Sequence, residues 1–381
     1  MSLPRLYPLL LGLWLALALP GCVDPFEPEV IRSAPNYLVV SGFININGVT
    51  SIRLSRTQNV ANSGAPAAEP RATVAIQDEA GTSYPLSEQV PGTYTSAALS
   101  LSPARRYQLR LRTAGGREYA SALVTPKVAP PIDELPWAVE DRGVRVYVNA
   151  HDATNSTRYY RWTYTETWEF HSAYRSGLEY VNGRMQPRAE DIYQCWGTAG
   201  STSIAINSTA RLNQDVVARY PLILLPANSV KLRFKYSVQV RQYAQTAEEY
   251  AYWEQLKSNT ESVGGLFDPV PSQLTGNVQS LTDATEPVVG YVGAGTVTEK
   301  RIFIASNELP LTQQYETGYN CAPPDTVPLA RVPTVFSTSV VLPLYTVYAP
   351  MSNTIVGYSS ASAECADCRR RGTNRRPDFW Q

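Results

Sequence analysis

The stretch KLRFKYSVQVRQY, residues 231–243, carries the clearest hydrophobic pattern in the 381-residue sequence. Apolar side chains recur at every second position and alternate with charged ones, which is the period of a β-strand with one face on a core and the other in water. The inward set is Leu232, Phe234, Tyr236, Val238 and Val240, and the outward set is Lys231, Arg233, Lys235 and Arg241. The pattern predicts an antiparallel strand whose positive outer face is solvated or meets an acidic partner or phosphate.

Shorter runs of the same kind lie between residues 37 and 125. In RRYQLRLRT, Tyr107, Leu109 and Leu111 alternate with arginine and glutamine, and YLVVSGFI, TSIRLSR and ATVAIQD are further β-type runs. Several short strands at such intervals predict an immunoglobulin-like β-sandwich over residues 37–125. The proline-rich TPKVAPPIDELP, residues 125–136, interrupts the pattern, so we expect a larger β-rich domain over residues 126–381. The predicted fold class is therefore mainly β.

The run YYRWTYTETWEFH, residues 159–171, places one acid, Glu166, on an otherwise aromatic face that includes Trp168. If this face is core, Glu166 must lie at a bulge or pair with an arginine, because an unpaired buried carboxylate is costly. The alternative is an aromatic ligand platform on which Glu166 and Trp168 bind the ligand. Aromatic rows on strands mostly pack, which favours the core interpretation.

One helix is predicted near residues 246–258, in TAEEYAYWEQLKSN. Thr246 is suited to the N-cap and Glu249 completes a capping box, while Gly264 and Gly265 follow the helix end. The apolar residues that recur at roughly helical spacing are Ala247, Tyr250, Trp253 and Leu256. We expect them to pack on the sheet, with partner docking as the alternative.

The N-terminus predicts export. Arg5 precedes the apolar run LLLGLWLALAL, which is shorter than the about 20 residues that a membrane-spanning helix needs, so residues 1–21 are predicted to be a signal peptide. LPGC resembles the lipobox of bacterial lipoproteins, which implies that Cys22 is diacylated and becomes the first mature residue. The acidic, proline-rich residues 22–36 read as a tether.

The charge balance argues against nucleic acid as a partner. The chain has 33 Lys and Arg and 33 Asp and Glu, and the predicted signal holds only one of these charges, that of Arg5. A nucleic-acid-binding protein usually shows a strongly basic face instead.

Four cysteines remain after Cys22, namely Cys195, Cys321, Cys365 and Cys368. An even number in an exported chain favours disulfides, with three connectivities open. A redox or metal role for the pair in ECADC is less favoured because no βαβ frame and no second close pair accompany it. We favour Cys365 and Cys368 each bonding outward to Cys195 and Cys321, because longer loops restrict the unfolded chain more, and a direct Cys365–Cys368 bond stays open.

No catalytic motif is present, and we expect neither an enzyme nor a metal or cofactor. The two histidines, His151 and His171, fit no metal-ligand spacing. A carboxylate pair drawn from Glu166, Glu169 and Asp191 is the only basis for a hydrolase, which is the third hypothesis. DTV, residues 325–327, resembles a short bacterial O-glycosylation motif and makes Thr326 a candidate acceptor.

Several of these stretches together resemble the DUF4249 family of Bacteroidota. They are CVDPFEPEV, LVVSGFIN with IRLSRT, the segment from KYSVQVRQY through AEEYAYWEQLKSN to PSQLTGNV, EPVVGYVGAGTVTEKRIFI, and the terminal CADCRRRGTN with PDFW. The resemblance implies an outer-membrane lipoprotein, often encoded beside TonB-dependent transporters, and it implies no activity. We therefore expect an accessory binding subunit of such a transporter at the outer membrane, with a structural or assembly lipoprotein as the alternative.

Overall fold

The computed structural model describes residues 36–59, 62, 64–261, 274, 276–310 and 316–381. The predicted signal peptide, Cys22, nearly all of the tether, and Gly264 and Gly265 lie outside these residues. The described part is mainly β, which confirms the predicted fold class. None of its helices is long and apolar enough to span a membrane.

The strands are numbered in chain order. The first seven are β1 (Leu38–Asn45), β2 (Asn47–Arg56), β3 (Thr73–Asp78), β4 (Ser83–Val90), β5 (Thr93–Ser100), β6 (Tyr107–Arg112) and β7 (Glu118–Ser121). The middle ones are β8 (Ile132–Glu134), β9 (Trp137–Glu140), β10 (Gly143–Asp152), β11 (Tyr159–His171), β12 (Leu178–Val181), β13 (Arg184–Pro187), β14 (Gln194–Gly200), β15 (Ala205–Ser208), β16 (Asp215–Pro226) and β17 (Lys235–Ala244). The last are β18 (Val278–Ser280), β19 (Val288–Val289), β20 (Val292–Gly295), β21 (Val297–Ala305), β22 (Asp325–Pro328), β23 (Val341–Tyr348) and β24 (Ile355–Ser362). The helices are α1 (Ala247–Glu261), α2 (Val332–Val335) and α3 (Ala363–Ala366).

The first sheet has ten strands in the order β18–β7–β6–β3–β4–β5–β2–β1–β19, with β20 also on β1. Its strands share one core, in which Ile52, Tyr94 and Leu109 are fully buried, in keeping with a sandwich layout. β19 and β20 pair with β1 in parallel. This sheet therefore takes three strands from residues 278–295, beyond the predicted 37–125 segment.

Two further sheets enclose the second core. One has the order β16–β10–β8 with β9 on β10, and the other has the order β14–β11–β17–β21 with β15 on β11. Val146 of the former and Trp162 and Val238 of the latter belong to the same buried cluster. We call these the second and third sheets, respectively.

The alternation predicted for β17 is confirmed for Tyr236, Val238 and Val240, all buried. The strand begins only at Lys235, however, and Leu232 belongs to a preceding 3₁₀ turn, Val230–Leu232. The outward prediction for Lys231 is wrong, because its side chain turns toward the buried Glu166.

The C-terminal region forms the small sheet β22–β24–β23, and β12 pairs with β13 beside it. Cys195 bonds to Cys368 and Cys321 bonds to Cys365, so both cysteines of ECADC reach distant partners rather than each other. Thr326, the candidate glycosylation acceptor, lies exposed on β22.

Candidate functional site

Glu166 is buried on β11 and paired, as the core interpretation requires, but with a lysine and not with an arginine. Its Oε2 lies 2.6 Å from Lys231 Nζ, and the hydroxyl of Tyr236 donates to Oε1 at 2.8 Å. Burial and this carboxylate together raise the pKa of Tyr236, so its hydroxyl stays protonated and donates. The three groups satisfy one another inside the protein.

Trp168, the other predicted ligand residue, lies apart from the nearest cavity. Glu166 and Lys231 line a cavity of about 410 Å³, whereas Trp168 does not. The Trp168 ring covers Gly197 of β14, where an added Cβ would come within 2.5 Å of it, and Lys231 Nζ lies 4.9 Å from the ring centroid. The indole therefore packs on the sheet and does not form the platform of the ligand-binding interpretation.

The carboxylates of the hydrolase hypothesis do not assemble into a pair. Glu166 and Glu169 lie three residues apart on one strand, so they point to opposite faces of the third sheet. Glu169 contacts His171 at 3.1 Å, and Asp191 contacts Arg175 at 3.3 Å. Nowhere among the described residues do three His, Cys, Asp or Glu side chains gather in a manner suited to a metal ion.

A larger cleft, of about 530 Å³, lies between the first sheet and the third sheet, and we call it the inter-sheet cleft. On β1 the side chains of Leu38, Val40 and Ile44 enter the first core, so the intervening Ser41 and Phe43 face outward. The same alternation on the third sheet turns its outer face toward them. The residues lining the cleft include Ser41, Phe43, Asn45, Ser51, Arg161, Arg241, Tyr243, Trp253 and Glu299.

Arg161 is the central charge of this cleft. It lies directly opposite Tyr243 in the β11–β17 pairing, and α1 places Trp253 above it. Its guanidinium carbon is 4.3 Å from the Tyr243 ring centroid and 4.5 Å from that of Trp253, so the cation makes two cation–π contacts. Its Nε is buried and has no hydrogen-bond partner among the described residues.

The neighbouring Arg241 differs, because its charge is compensated. Its Nε donates to Glu299 Oε1 at 2.7 Å across the β17–β21 pairing. In the described part of the chain, no ion pair within 4.0 Å involves Arg161. The lining of the cleft thus carries two positive charges and one negative charge.

Glu249, on α1, is almost fully buried. Gln245 Nε2 donates to its Oε1 at 3.1 Å, and its other oxygen lies against Gly293 of β20, where a Cβ would come within 2.3 Å. Burial raises the pKa of the Glu249 carboxyl, and the charge of Arg161 offsets part of that rise. The predicted capping box is half present: Glu249 N–H donates to Thr246 Oγ1 at 3.2 Å, while the Glu249 side chain turns inward.

A comparison with known protein families identifies the family of this chain. The family model described as a domain of unknown function, DUF4249, matches residues 23–301. The chain belongs to the DUF4249 family. Among curated proteins nothing matches it. A solved structure, the calcium binding domain CBD12 of CALX1.1, is similar over 70% of this chain and 99% of that chain, with 9% identity and a TM-score of 0.14, which is too low for any argument.

In this DUF4249 protein, the predicted residues thus do not form one site. Glu166 and Trp168 both contact Lys231, but only Glu166 lines the cavity beside it, and Thr326 lies on the remote β22. Sequence reasoning missed Arg161 as a site residue. The available signal was its position in the 159–171 alternation, where it lies opposite in phase to Glu166 and Trp168 and therefore on the outer face of the strand.

Proposed function

We propose that this DUF4249 protein is an exported lipoprotein, diacylated at Cys22 and held at the outer membrane. There it acts as an accessory binding subunit of a TonB-dependent transport system. The observation that carries the binding role is the inter-sheet cleft, where Arg161 contacts the rings of Tyr243 and Trp253 and has no ion-pair partner within 4.0 Å among the described residues. The lipobox-like LPGC supports the anchor, and the resemblance of the chain to lipoproteins encoded beside such transporters supports the partner.

The tyrosines of α1 do not supply a docking face for the partner. Tyr252 is buried against Tyr291, with ring centroids 5.4 Å apart, and Tyr250 packs on Tyr159 at 5.0 Å. The exposed positions of this helix hold alanine, glutamate and threonine instead. Partner contact through an aromatic helix face is therefore not favoured.

The β23–β24 hairpin is the better candidate for contact with the transporter. Tyr345 and Tyr348 are more than half exposed, and Met351 in the connecting turn is fully exposed. A group of apolar side chains open to water often marks a protein contact. The same hairpin also fits the alternative, a structural or assembly lipoprotein without a soluble ligand, and the two differ in whether the cleft takes a ligand.

The test is a pull-down of the tagged protein from its native outer membrane in mild detergent, followed by mass spectrometry. We expect a TonB-dependent transporter in near-stoichiometric amount with the wild type, and its loss with Cys22→Ala, which removes the anchor. Tyr348→Asp is expected to lose the transporter as well. The control is Asn353→Asp, which adds the same charge in the same hairpin without removing an apolar side chain and is therefore expected to retain the transporter. Recovery of the wild-type lipoprotein alone would refute a stable complex.

A further inference from the structure

We infer that the inter-sheet cleft binds a small ligand through a carboxylate, and that Arg161 is the group that receives it. This inference rests on the proposed binding role and adds the chemical class of the ligand.

The first argument is the way in which Arg161 is held. The guanidinium carbon lies 4.3 Å from the Tyr243 ring centroid and 4.5 Å from that of Trp253, and Nε is buried. Since Arg161 lines the cleft, its terminal nitrogens are the part of the cation left to face a ligand. Because two rings already hold the cation in place, little side-chain freedom is left to lose when a planar acceptor arrives. A guanidinium edge pairs with a carboxylate through two parallel hydrogen bonds.

The second argument is charge. Arg241 is compensated by Glu299 at 2.7 Å, whereas Arg161 has no ion-pair partner among the described residues. The lining therefore has one positive charge in excess, and the charge of Arg161 also interacts with the buried Glu249, so a single negative charge is the most that the cleft matches, and a carboxylate carries one at neutral pH. A phosphate monoester carries about 1.5 to 2 negative charges and calls for further cations. The cleft therefore favours a carboxylate over a phosphate.

The third argument is the size and lining of the cleft. A volume of about 530 Å³ is within the range of small-molecule sites, roughly 300–1,000 Å³. Ser41, Asn45 and Ser51 supply polar groups from the first sheet on the wall opposite Arg161. Such groups suit a ligand body with hydroxyls or amides. Two sources share this chemistry, namely an acidic sugar and the C-terminal carboxylate of a short peptide.

The experiment is isothermal titration calorimetry on the full-length protein in detergent, with two carboxylate probes and their neutral counterparts. The probes are galacturonate and the tripeptide Ala-Ala-Ala, and the counterparts are galactose and the tripeptide amide. The variants are Arg161→Gln and Arg161→Lys, and Arg110→Gln is the matched control on the exposed face of β6. Thermal melts followed by circular dichroism verify that each variant is folded.

We expect one carboxylate probe to bind the wild type and the Arg110→Gln control equally. Arg161→Gln should weaken that binding about 10- to 100-fold, the range for a lost charged hydrogen-bond pair, and Arg161→Lys should weaken it less. Which probe binds identifies the source of the carboxylate. Binding of neither probe, equal binding by Arg161→Gln, or equal binding of a neutral counterpart would overturn the inference. The proposed transporter complex is tested separately by the pull-down and would survive that result.

Discussion

Removal of the Cys195–Cys368 disulfide is predicted to destabilise the protein more than removal of the Cys321–Cys365 disulfide. The first closes a loop of 173 residues and the second a loop of 44 residues. A cross-link lowers the entropy of the unfolded chain by about 2.1 + 1.5R ln n cal/mol/K, which gives about 5 kcal/mol for the long loop and about 4 kcal/mol for the short one at 25 °C. Measured stabilisation by a disulfide is usually about 2–4 kcal/mol, so we predict the order of the two losses of stability and not their size.

The long disulfide also has a local consequence. Cys368 begins the last segment of the chain, and near its end Trp380 packs edge-on against Trp196 and Phe303, with ring centroids 6.4 and 5.7 Å away. Without the Cys195–Cys368 bond, this segment is held by packing, hydrogen bonds and ion pairs such as that of Arg369 with Glu190, at 2.6 Å. Its opening should therefore expose Trp380 and the arginines that follow Cys368.

The variants are the double substitutions Cys195→Ala/Cys368→Ala and Cys321→Ala/Cys365→Ala, each the matched control of the other. Urea unfolding followed by tryptophan fluorescence gives the free energy of unfolding, and limited trypsin digestion reports cleavage after Arg369, Arg370 and Arg371. We expect the first variant to unfold at lower urea and to be cut faster near its C-terminus. A larger loss of stability in the second variant, or equal cleavage in both, would refute the reasoning.

Three further predictions concern stability. Lys231→Met should lower the free energy of unfolding by about 2–3 kcal/mol, because it leaves the Glu166 carboxylate buried without its cation. Adding Glu166→Gln should recover part of this loss in a double-mutant cycle, and strict additivity would contradict the pairing. Burial raises the pKa of the Asp152 carboxyl, but hydrogen bonds from the following loop outweigh it and lower the pKa overall. Its stabilisation is thus present above the unfolded pKa, about 3.9, so Asp152→Asn should lower the free energy of unfolding by about 1 kcal/mol at pH 7. The difference in thermal midpoint between this variant and the wild type should shrink below about pH 4. A difference that widens there would contradict the direction of the pKa shift. Gly143→Ala should lower the free energy of unfolding by about 2 kcal/mol or more, because φ is +140° and the new Cβ would lie 1.9 Å from a carbonyl oxygen of β16. Gly81→Ala, at a position with positive φ but open space, is the control, and both variants are measured by urea unfolding. An equal loss in both would argue against the clash.

Local alternation predicted the strands well where one face meets a core and the other meets water. It failed at the start of β17, because charged and apolar residues continue to alternate through Lys231 although the backbone there turns as a 3₁₀ helix. The direction of the Lys231 side chain depends on Glu166, 65 residues earlier. A pairing at that separation leaves no trace in the local pattern.

The parallel strands were harder still to predict. The glycine content of VGAGT is typical of a turn, yet its first four residues are β20, which is buried throughout and paired with β1. Small residues are needed there because an added Cβ at Gly293 would meet the Glu249 carboxylate and one at Gly295 would meet the Lys127 carbonyl oxygen. Both contacts join segments that are distant in the sequence, so the glycines show their purpose only in the folded chain.

The junction between β20 and β21 also explains why the inter-sheet cleft has a fixed shape. β20 belongs to the first sheet and β21 to the third, and only Thr296 separates them. A second crossing between the two regions, through Lys127 and Ala129, is hydrogen-bonded to this same point, since Thr296 N–H donates to the Lys127 carbonyl and Ala129 N–H donates to Thr296 Oγ1, both at 2.9 Å. These two crossings, tied together, oppose a hinge between the sheets. The wall that carries Ser41 is therefore held at a set distance from the wall that carries Arg161, and the proposed ligand would meet a cleft already formed, without the entropy loss that closing two mobile domains would add.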